Sequence, residues 1–306
     1  MDASSSPVFP PELEREVFEM AARTAFGSIP ALMLVARRFH IWLEPFLYRV
    51  IRQNHIPAEV IISVLESRPD ILRNELESLF FDAGLEDELS GERSDQLFDI
   101  CSQSLSNLAF FRTSVETSSG TALPQLPKLW CLSCSVPTLH GITSLQESAI
   151  QSKFPRLTHV EVGGYIAGDF LSSVRVLPTL THLACTNPGE NVLCDPAQPI
   201  RTFFEDTPRL QALIIVCGRG SVREYLRDLD AVVLAEGEIR LTGGTYPDGR
   251  GDDYWREWQD SALGTGMDYW GRCDIFLERK RKGEVEASRR WMDDWVYDTG
   301  GDTPGA

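Results

Sequence analysis

Two histidines and a glutamate are the strongest candidates for metal or catalytic chemistry in this sequence. His159 and His182 hold the same position in two similar phrases, LTHVEV and LTHLAC, and Glu161 follows His159 by two residues. In a stacked array of strands the two imidazoles would lie side by side, and two histidines with a carboxylate can bind a divalent metal. The sequence supplies no third firm ligand and no separate general acid and base. A polar row on an exposed strand face is the interpretation that we prefer.

The cysteines and glycines give weaker signals. Cys131 and Cys134 form a single CxxC pair, whereas a zinc site would need a second pair at suitable spacing. Cys134 and Cys185 fall where a small apolar core residue is expected. The glycines lack the frame of a phosphate loop, and the sequence contains no Gly-x-Ser-x-Gly or His-Glu-x-x-His motif. We therefore predict no catalytic residue, no metal and no cofactor, with an enzyme of unrecognised type as the alternative.

Composition narrows the possible partners and compartments. A net charge of −16 over 306 residues argues against binding to nucleic acid or to anionic membrane surfaces. No apolar run reaches the roughly 18 residues that a membrane span requires. The seven cysteines are an odd number, and the start MDASSSPVFPPE lacks the features of a secretory signal. The sequence therefore predicts a cytoplasmic or nuclear protein with reduced thiols.

A phrase of the form leucine-x-x-apolar-x-apolar returns along most of the chain. Its first leucines are separated by 19 to 30 positions, which brackets the period of leucine-rich repeats. Such a phrase is typical of a short strand whose alternate side chains enter a core shared with stacked neighbours. We predict an α/β fold in which residues 57–240 form a leucine-rich-repeat-like solenoid of short parallel strands alternating with helices. An ordinary α/β domain with chance leucine spacing is the alternative. The phrases begin at Leu76, Leu105, Leu129, Leu157, Leu180, Leu210 and Leu229.

Helical patterns flank this array on both sides. Residues 10–50 form an apolar helical segment after a flexible tail, 1–9, and they have too few residues to make a good core alone. Residues 254–297 are predicted to be a helical cap over the open end of the array, and 298–306 a disordered tail. A second partner site is the alternative for the cap, whose aromatic residues include Trp255, Trp258, Trp270, Trp291 and Trp295.

The segment from Pro10 to Tyr48 resembles an F-box. The matching stretches are PPEL, VF, IPALMLVARRF and WLEPFLY, in the order that this family shows. Phe9 stands where the family usually has leucine, and AARTAFG replaces its short Leu-Pro link. The segment is similar in particular to the F-box-like proteins of mushroom-forming (basidiomycete) fungi. The resemblance covers residues 9–50, about a seventh of the chain.

The resemblance implies a non-catalytic substrate-recognition adaptor of an SCF-type (Skp1–cullin–F-box) ubiquitin ligase. The N-terminal helices would dock on a Skp1-like adaptor protein, and the array would hold an unknown protein substrate. A repeat-type interaction scaffold without a ligase partner, in which these helices only cap the array, is the alternative. The expected docking residues are Pro10, Leu13, Val17, Ile29, Leu32, Leu34, Val35, Phe39, Trp42, Pro45, Leu47 and Tyr48. The expected substrate surface lies on the strand face opposite the core, at Phe80, Phe111, His159, Glu161 and His182.

Overall fold

The computed structural model describes residues 9–52, 57–81, 91–110, 123–163, 168–186, 197–218, 238–246 and 251–293. Within these ranges the chain forms one parallel sheet of eight strands, whose order in space equals their order in the sequence. The architecture is therefore α/β, and each strand pairs only with its sequence neighbours, as in a solenoid-like repeat. The strands are β1 (Val50–Arg52), β2 (Ser78–Phe81), β3 (Asn107–Phe110), β4 (Cys131–Ser135), β5 (His159–Gly163), β6 (His182–Thr186), β7 (Ala212–Cys217) and β8 (Leu241–Thr245).

Helices precede, connect and follow the strands. Before the sheet lie α1 (Pro11–Thr24), α2 (Ile29–Met33) and α3 (Arg37–Leu47). Between strands lie α4 (Ala58–Ser67), α5 (Pro69–Glu75), α6 (Gly91–Cys101), α7 (Val136–Thr143), α8 (Glu147–Lys153), α9 (Gly168–Val174) and α10 (Ala197–Asp206). After β8 come α11 (Gly251–Leu263) and α12 (Tyr269–Arg281). No helix in the described ranges is both long and apolar enough to cross a membrane.

Proline turns explain how the chain enters four of the strands. Pro127, Pro155, Pro178 and Pro208 each occupy the second position of a four-residue turn. Each turn is closed by the leucine that begins the next phrase. Its backbone N–H donates to the carbonyl three residues earlier, at N–O distances of 3.0–3.4 Å. Proline favours that position because its ring fixes φ near the value the turn requires. The turn therefore sets the direction in which each strand begins.

Six of the seven predicted phrases form strands, β2 to β7. Their second and third apolar positions lie on the side of the sheet that faces α4 to α10, where Leu132 and Leu183 are 0% exposed. The seventh phrase, which begins at Leu229, lies outside the described residues. The sheet position beside β7 that it was expected to fill is taken by β8.

Two strands escape the leucine pattern. Val50 pairs with Ser78, which lies two residues after Leu76. The leucine position of the β1 phrase is therefore held by Tyr48. Leu213 pairs with Leu241, so the residue before β8 that corresponds to Leu210 is Glu238. A search for leucine misses both strands, although each keeps an apolar second position.

Both faces of the sheet are buried. One face forms a continuous core with α4 to α10 along the length of the sheet. On the other face, Phe80, Ala184 and Ile214 pack with Trp270 and Leu277 of α12. The sheet thus lies between two layers of helix, whereas the predicted solenoid has one open strand face.

The C-terminal segment is placed differently from the predicted cap. Trp291 does close the end of the sheet, since its backbone bridges to Gly243 of β8 and its side chain is 0% exposed in the helix-side core. Trp258 and Trp270, by contrast, lie over the strand face. The side chain of Trp255, and the whole of Trp295, lie outside the described part of the chain. Small and apolar residues on that strand face need a cover, and α11 and α12 provide it.

Helix α12 also buries a lysine. Lys280 is 6% exposed, and its Nζ lies 4.8 Å from the centroid of the Phe276 ring. Nζ has no hydrogen-bond partner among the described residues. Burial lowers the pKa of Lys280 to about 8, and Arg290 and Arg289 act in the same direction. The charged form of this lysine therefore destabilises the fold.

We expect Lys280→Met to stabilise the protein near neutral pH. Methionine keeps an apolar chain beside Phe276 and removes an unsatisfied buried donor, a change of about 1–3 kcal/mol. Because the folded-state pKa of about 8 lies below the ordinary 10.5, the unmutated protein gains stability as the pH rises through this window, and the advantage of the variant shrinks. Urea unfolding at about pH 7 and about pH 9.5 measures both effects. The exposed Lys282→Met is the control, and an advantage independent of pH would contradict the lowered pKa.

Candidate functional site

The N-terminal helices enclose a small core of their own. Phe18 of α1 stacks on Phe39 of α3 with ring centroids 3.8 Å apart, and Ile29 of α2 is 0% exposed in the same cluster. The Arg38 side chain of α3 donates to the Glu14 carboxylate of α1 at 2.7 Å. Proline in the first turn of α1 and of α2 suits a helix start. These contacts use one side of each helix and leave another side facing outward.

Several large apolar side chains are exposed on these helices, among charged ones. Leu13 and Val17 of α1 are 50% and 56% exposed, and Leu34 and Val35, between α2 and α3, are 86% and 63% exposed. Pro10, ahead of α1, is exposed as well. Five of the twelve predicted docking residues are therefore accessible to a partner.

The remaining predicted docking residues are buried or half-buried, and most of them contribute to packing. Ile29 and Phe39 are 0% and 3% exposed, so the structure corrects their assignment: they hold the helices together and cannot meet a partner. Tyr48 is half-buried against the core of the array, where it fills the first position of the β1 phrase. The other half-buried members of the set are Leu32, Trp42, Pro45 and Leu47.

Three further exposed apolar side chains were not part of the predicted docking set. Phe9, Met20 and Ile41 are 57%, 55% and 61% exposed. Met20 continues the helical spacing of Leu13 and Val17 and could have been found from it. Ile41 lies in a helix that is apolar on most sides, where spacing does not reveal the outer side. We call Leu13, Val17, Met20, Leu34 and Val35 the N-terminal apolar surface.

The predicted substrate surface is covered by the chain itself. Phe80, Glu161 and His182 are 0%, 2% and 5% exposed, and His159 is half-buried. Helices α11 and α12 cross this strand face, so these side chains meet the C-terminal segment instead of solvent. The structure therefore corrects their assignment to a substrate surface. Phe111, the fifth member, lies outside the described residues.

The two imidazoles do lie side by side, as the repeat register predicts. His159 pairs with His182, and their rings stack with centroids 4.2 Å apart and planes 5° apart. Each Nδ1 is hydrogen-bonded to the hydroxyl of the preceding threonine at 2.8 Å. His182 Nε2 donates to Asp274 Oδ1 at 3.0 Å, and the rings of Trp270 and His159 meet nearly at right angles, with centroids 5.0 Å apart. This row is a structural part of the contact between β5, β6 and α12.

The geometry of the histidine row is unsuited to a chelating site. Because the rings are parallel, their nitrogen lone pairs point in parallel directions and do not converge on one ion. Burial, together with the neighbouring His182, lowers the pKa of His159 to about 3, so this ring is neutral at physiological pH. The described part of the chain contains no group of three or more His, Cys, Asp or Glu residues that could hold a metal ion.

The CxxC pair is divided between two cores. Cys131 lies on the face covered by α12, and Cys134 on the face covered by the connecting helices. Residues three apart on a strand point to opposite sides, so the two thiols do not meet. Burial raises the pKa of both thiols, which disfavours the reactive thiolate. Both cysteines serve as small core residues.

A buried ionic cluster fastens the C-terminal segment to the end of the sheet. Arg272 of α12 donates to Glu257 of α11 at 2.9 Å, to Asp293 at 3.1 Å and to the carbonyl of Thr245 at 2.9 Å. Asp293 also accepts from the backbone N–H of Thr245 at 2.8 Å. Burial raises the pKa of Glu257 to about 7 against the opposing effect of Arg272, and Asp268 and Asp293 add to the rise.

We expect Glu257→Gln to flatten the dependence of stability on pH. The folded-state pKa of about 7 lies above the ordinary 4.5, so the contribution of this group is complete below about pH 4.5 and is lost as the pH rises through 7. Glutamine resembles the protonated acid but cannot ionise. The free energy of unfolding, measured in urea at about pH 5 and about pH 8, should fall more in the unmutated protein, by at most about 3 kcal/mol. The exposed Glu75→Gln is the control, and equal slopes would contradict the raised pKa.

Comparison with known proteins adds little. No protein-family model matches the sequence, and no curated protein matches it significantly. A crystal structure of a protein from Bacteroides fragilis aligns with 68% of this chain and 70% of its own, at 10% sequence identity and a TM-score of 0.30. A likeness of that size carries no argument about the fold or the function.

Proposed function

We propose that the chain is a non-catalytic adaptor whose N-terminal helices dock on a Skp1-like adaptor protein of an SCF-type ubiquitin ligase. The observation that carries this proposal is the N-terminal apolar surface. Seven of the ten large apolar side chains that are exposed in the described part of the chain lie between residues 9 and 41. Such a concentration is typical of a protein-interaction site. It coincides with the segment whose sequence resembles an F-box.

The way these helices are attached to the array also supports docking on a partner. Arg68 at the α4–α5 junction pairs with Glu44 of α3, and Tyr48 packs against the core of the array. The end of α3 is therefore fixed to the array, while the principal packing partner of α1 is α3. A cap would place its apolar residues against the array, whereas Leu13 and Leu34 remain half or more exposed.

The proposal assigns no bond chemistry to this chain. The histidine row and the described thiols are engaged in packing, so catalysis would come from proximity between a bound substrate and a conjugating enzyme. Because α11 and α12 occupy the strand face, a protein substrate would contact another surface of the array. The array would then act as the spacer that sets the distance between the two partners.

We expect Leu13→Asp and Leu34→Asp each to weaken binding to a purified Skp1-like protein by tenfold or more, roughly 1.4 kcal/mol or above. A charge in the centre of an apolar contact is left without water or a partner. Isothermal titration calorimetry with the full chain measures the change. Met267→Asp is the matched control, because its side chain, in the loop between α11 and α12, is 56% exposed, close to the 50% of Leu13.

The same measurement separates the adaptor from the scaffold alternative. All three substituted side chains are exposed, so the variants should unfold at the temperature of the unmutated protein. Absence of binding by the intact protein at micromolar concentrations would sink the adaptor proposal and leave a repeat scaffold whose N-terminal helices only cap the array.

A further inference from the structure

The most exposed large apolar residue in the described part of the chain lies at a corner of the N-terminal helices. Leu34, directly after α2, is 86% exposed, and the next residue, Val35, is 63% exposed. We call these two residues the apolar corner. The ion pair between Arg38 and Glu14, at 2.7 Å, joins the start of α3 to the first turn of α1. The apolar corner is thereby held near the beginning of α1.

The outer side of α1 carries an apolar stripe with an acidic margin. Its apolar members, Leu13, Val17 and Met20, are 50%, 56% and 55% exposed. At about 3.6 residues per turn they fall within roughly 60° of the helix circumference, and Glu12 and Glu16 widen this arc to roughly 140°. Both glutamates are exposed and have no hydrogen-bond or ion-pair partner among the described residues. The outer side of α1 therefore offers apolar contact and unpaired negative charge together.

The apolar corner has unpaired charge of the opposite sign. Arg37 follows Val35 by two residues, is exposed, and has no hydrogen-bond or ion-pair partner in the part of the chain that the structure describes. The neighbouring Arg38 is already engaged with Glu14. One small region of the protein thus presents an apolar stripe beside unpaired carboxylates and an apolar corner beside an unpaired guanidinium.

Two copies of this region are complementary to each other. In an isologous contact, a two-fold axis places α1 of one protomer against the apolar corner of its partner, and the same contact occurs a second time. Glu12 and Glu16 of each protomer then face Arg37 of the other. Packing of α1 against α1 would instead bring carboxylates together, which like-charge repulsion disfavours. The charges therefore select one arrangement of the two copies.

The charge balance of the chain also favours contact at this place. Residues 9–48 carry four arginines and five glutamates, whereas the whole chain has a net charge of −16. Two copies consequently repel each other least where these nearly neutral helices meet. At an ionic strength of about 0.15 M, exposed charges separated by more than about 8 Å are largely screened. The acidic remainder of each copy then adds little repulsion.

We propose that two copies of the chain associate through the N-terminal apolar surface, with the apolar corner of each copy packed on the α1 stripe of the other. That surface has five residues, compared with roughly 20–30 on each side of a standard interface, so the association is weak. It has a regulatory consequence that rests on the proposed function, because self-association covers the residues assigned to a Skp1-like protein. The self-association itself does not depend on that assignment.

Sedimentation velocity of the full chain alone measures the association at about 0.15 M ionic strength. We expect a reversible monomer–dimer equilibrium with a dissociation constant of roughly 10–100 µM. Leu34→Asp should leave a monomer, because a charge without a partner enters the apolar contact. Met267→Asp, on the C-terminal side of the chain, should leave the equilibrium unchanged. A monomer at every concentration up to several times the expected dissociation constant, or a dimer that Leu34→Asp does not affect, would overturn the proposal.

Reversed charges test the pairing between copies. Glu16→Arg and Arg37→Glu should each weaken self-association by about fivefold or more, since every charge pair occurs twice in a symmetric contact. Mixed one to one, the two variants should recover the association to within about twofold, because both pairs in the mixed dimer again join opposite charges. Arg281→Glu, at an exposed position, changes the net charge as Arg37→Glu does and is the control. A mixture that associates no better than either variant alone would overturn the arrangement.

The failure of this proposal is distinguishable from the failure of the proposed function. The sedimentation measurements contain no Skp1-like protein, so a monomer there overturns self-association and leaves docking to the calorimetric titration. A dimer seen without any docking supports self-association and removes its regulatory consequence. Where both occur, added Skp1-like protein should convert the dimer into one-to-one complexes. Dimers that persist with the Skp1-like protein bound would overturn the shared surface.

Discussion

The structure depends on one constraint: a parallel sheet whose strands are apolar on both faces must be covered on both faces. β7 shows this most directly, since all six of its residues, ALIIVC, are buried. The helices between strands can cover only one side, because each connection returns to start the next parallel strand. The other side needs a cover from elsewhere in the chain, and α11 with α12 supplies it. The C-terminal segment is therefore part of the core and not an accessory to it.

The helical layer of α11 and α12 also explains why the polar residues on this strand face are buried. His159, Glu161 and His182 lie in a face that would be solvent-exposed in an open solenoid. Here Glu161 and His182 are buried, and His159 is half-buried against Trp270. Threonine hydroxyls bond to both Nδ1 atoms, Asp274 bonds to Nε2 of His182, and burial keeps His159 neutral. These residues could have formed a recognition surface, but instead they pack between the strands and α12.

Outside the sheet, two features depart from a fully satisfied fold. At the N-terminus, α1 to α3 bury part of their apolar surface in a core of their own, while Leu34 and Val35 remain exposed to solvent. At the C-terminus, α11 and α12 bury Glu257, and its Oε2 has no donor among the described residues. Only the first of them is exposed to solvent, where a partner could reach it.

The sequence alone determined the local features of this protein. The leucine phrases located six strands, since alternation on a strand is a local property, and Pro127 and its counterparts marked the turns before four of them. The register that sets His159 beside His182 also followed from the repeat. The β1 and β8 phrases were missed because tyrosine and glutamate can fill a position that leucine usually holds.

Only the tertiary structure decided which surfaces are open. Alternation shows that Phe80 and Glu161 share one strand face, but burial of that face depends on residues about a hundred or more positions away in α11 and α12. The same holds at the N-terminus, where Ile29 and Leu34 are both apolar, yet one is 0% and the other 86% exposed. Exposure is a property of what packs against a residue, and the residue's own neighbours in sequence do not specify it.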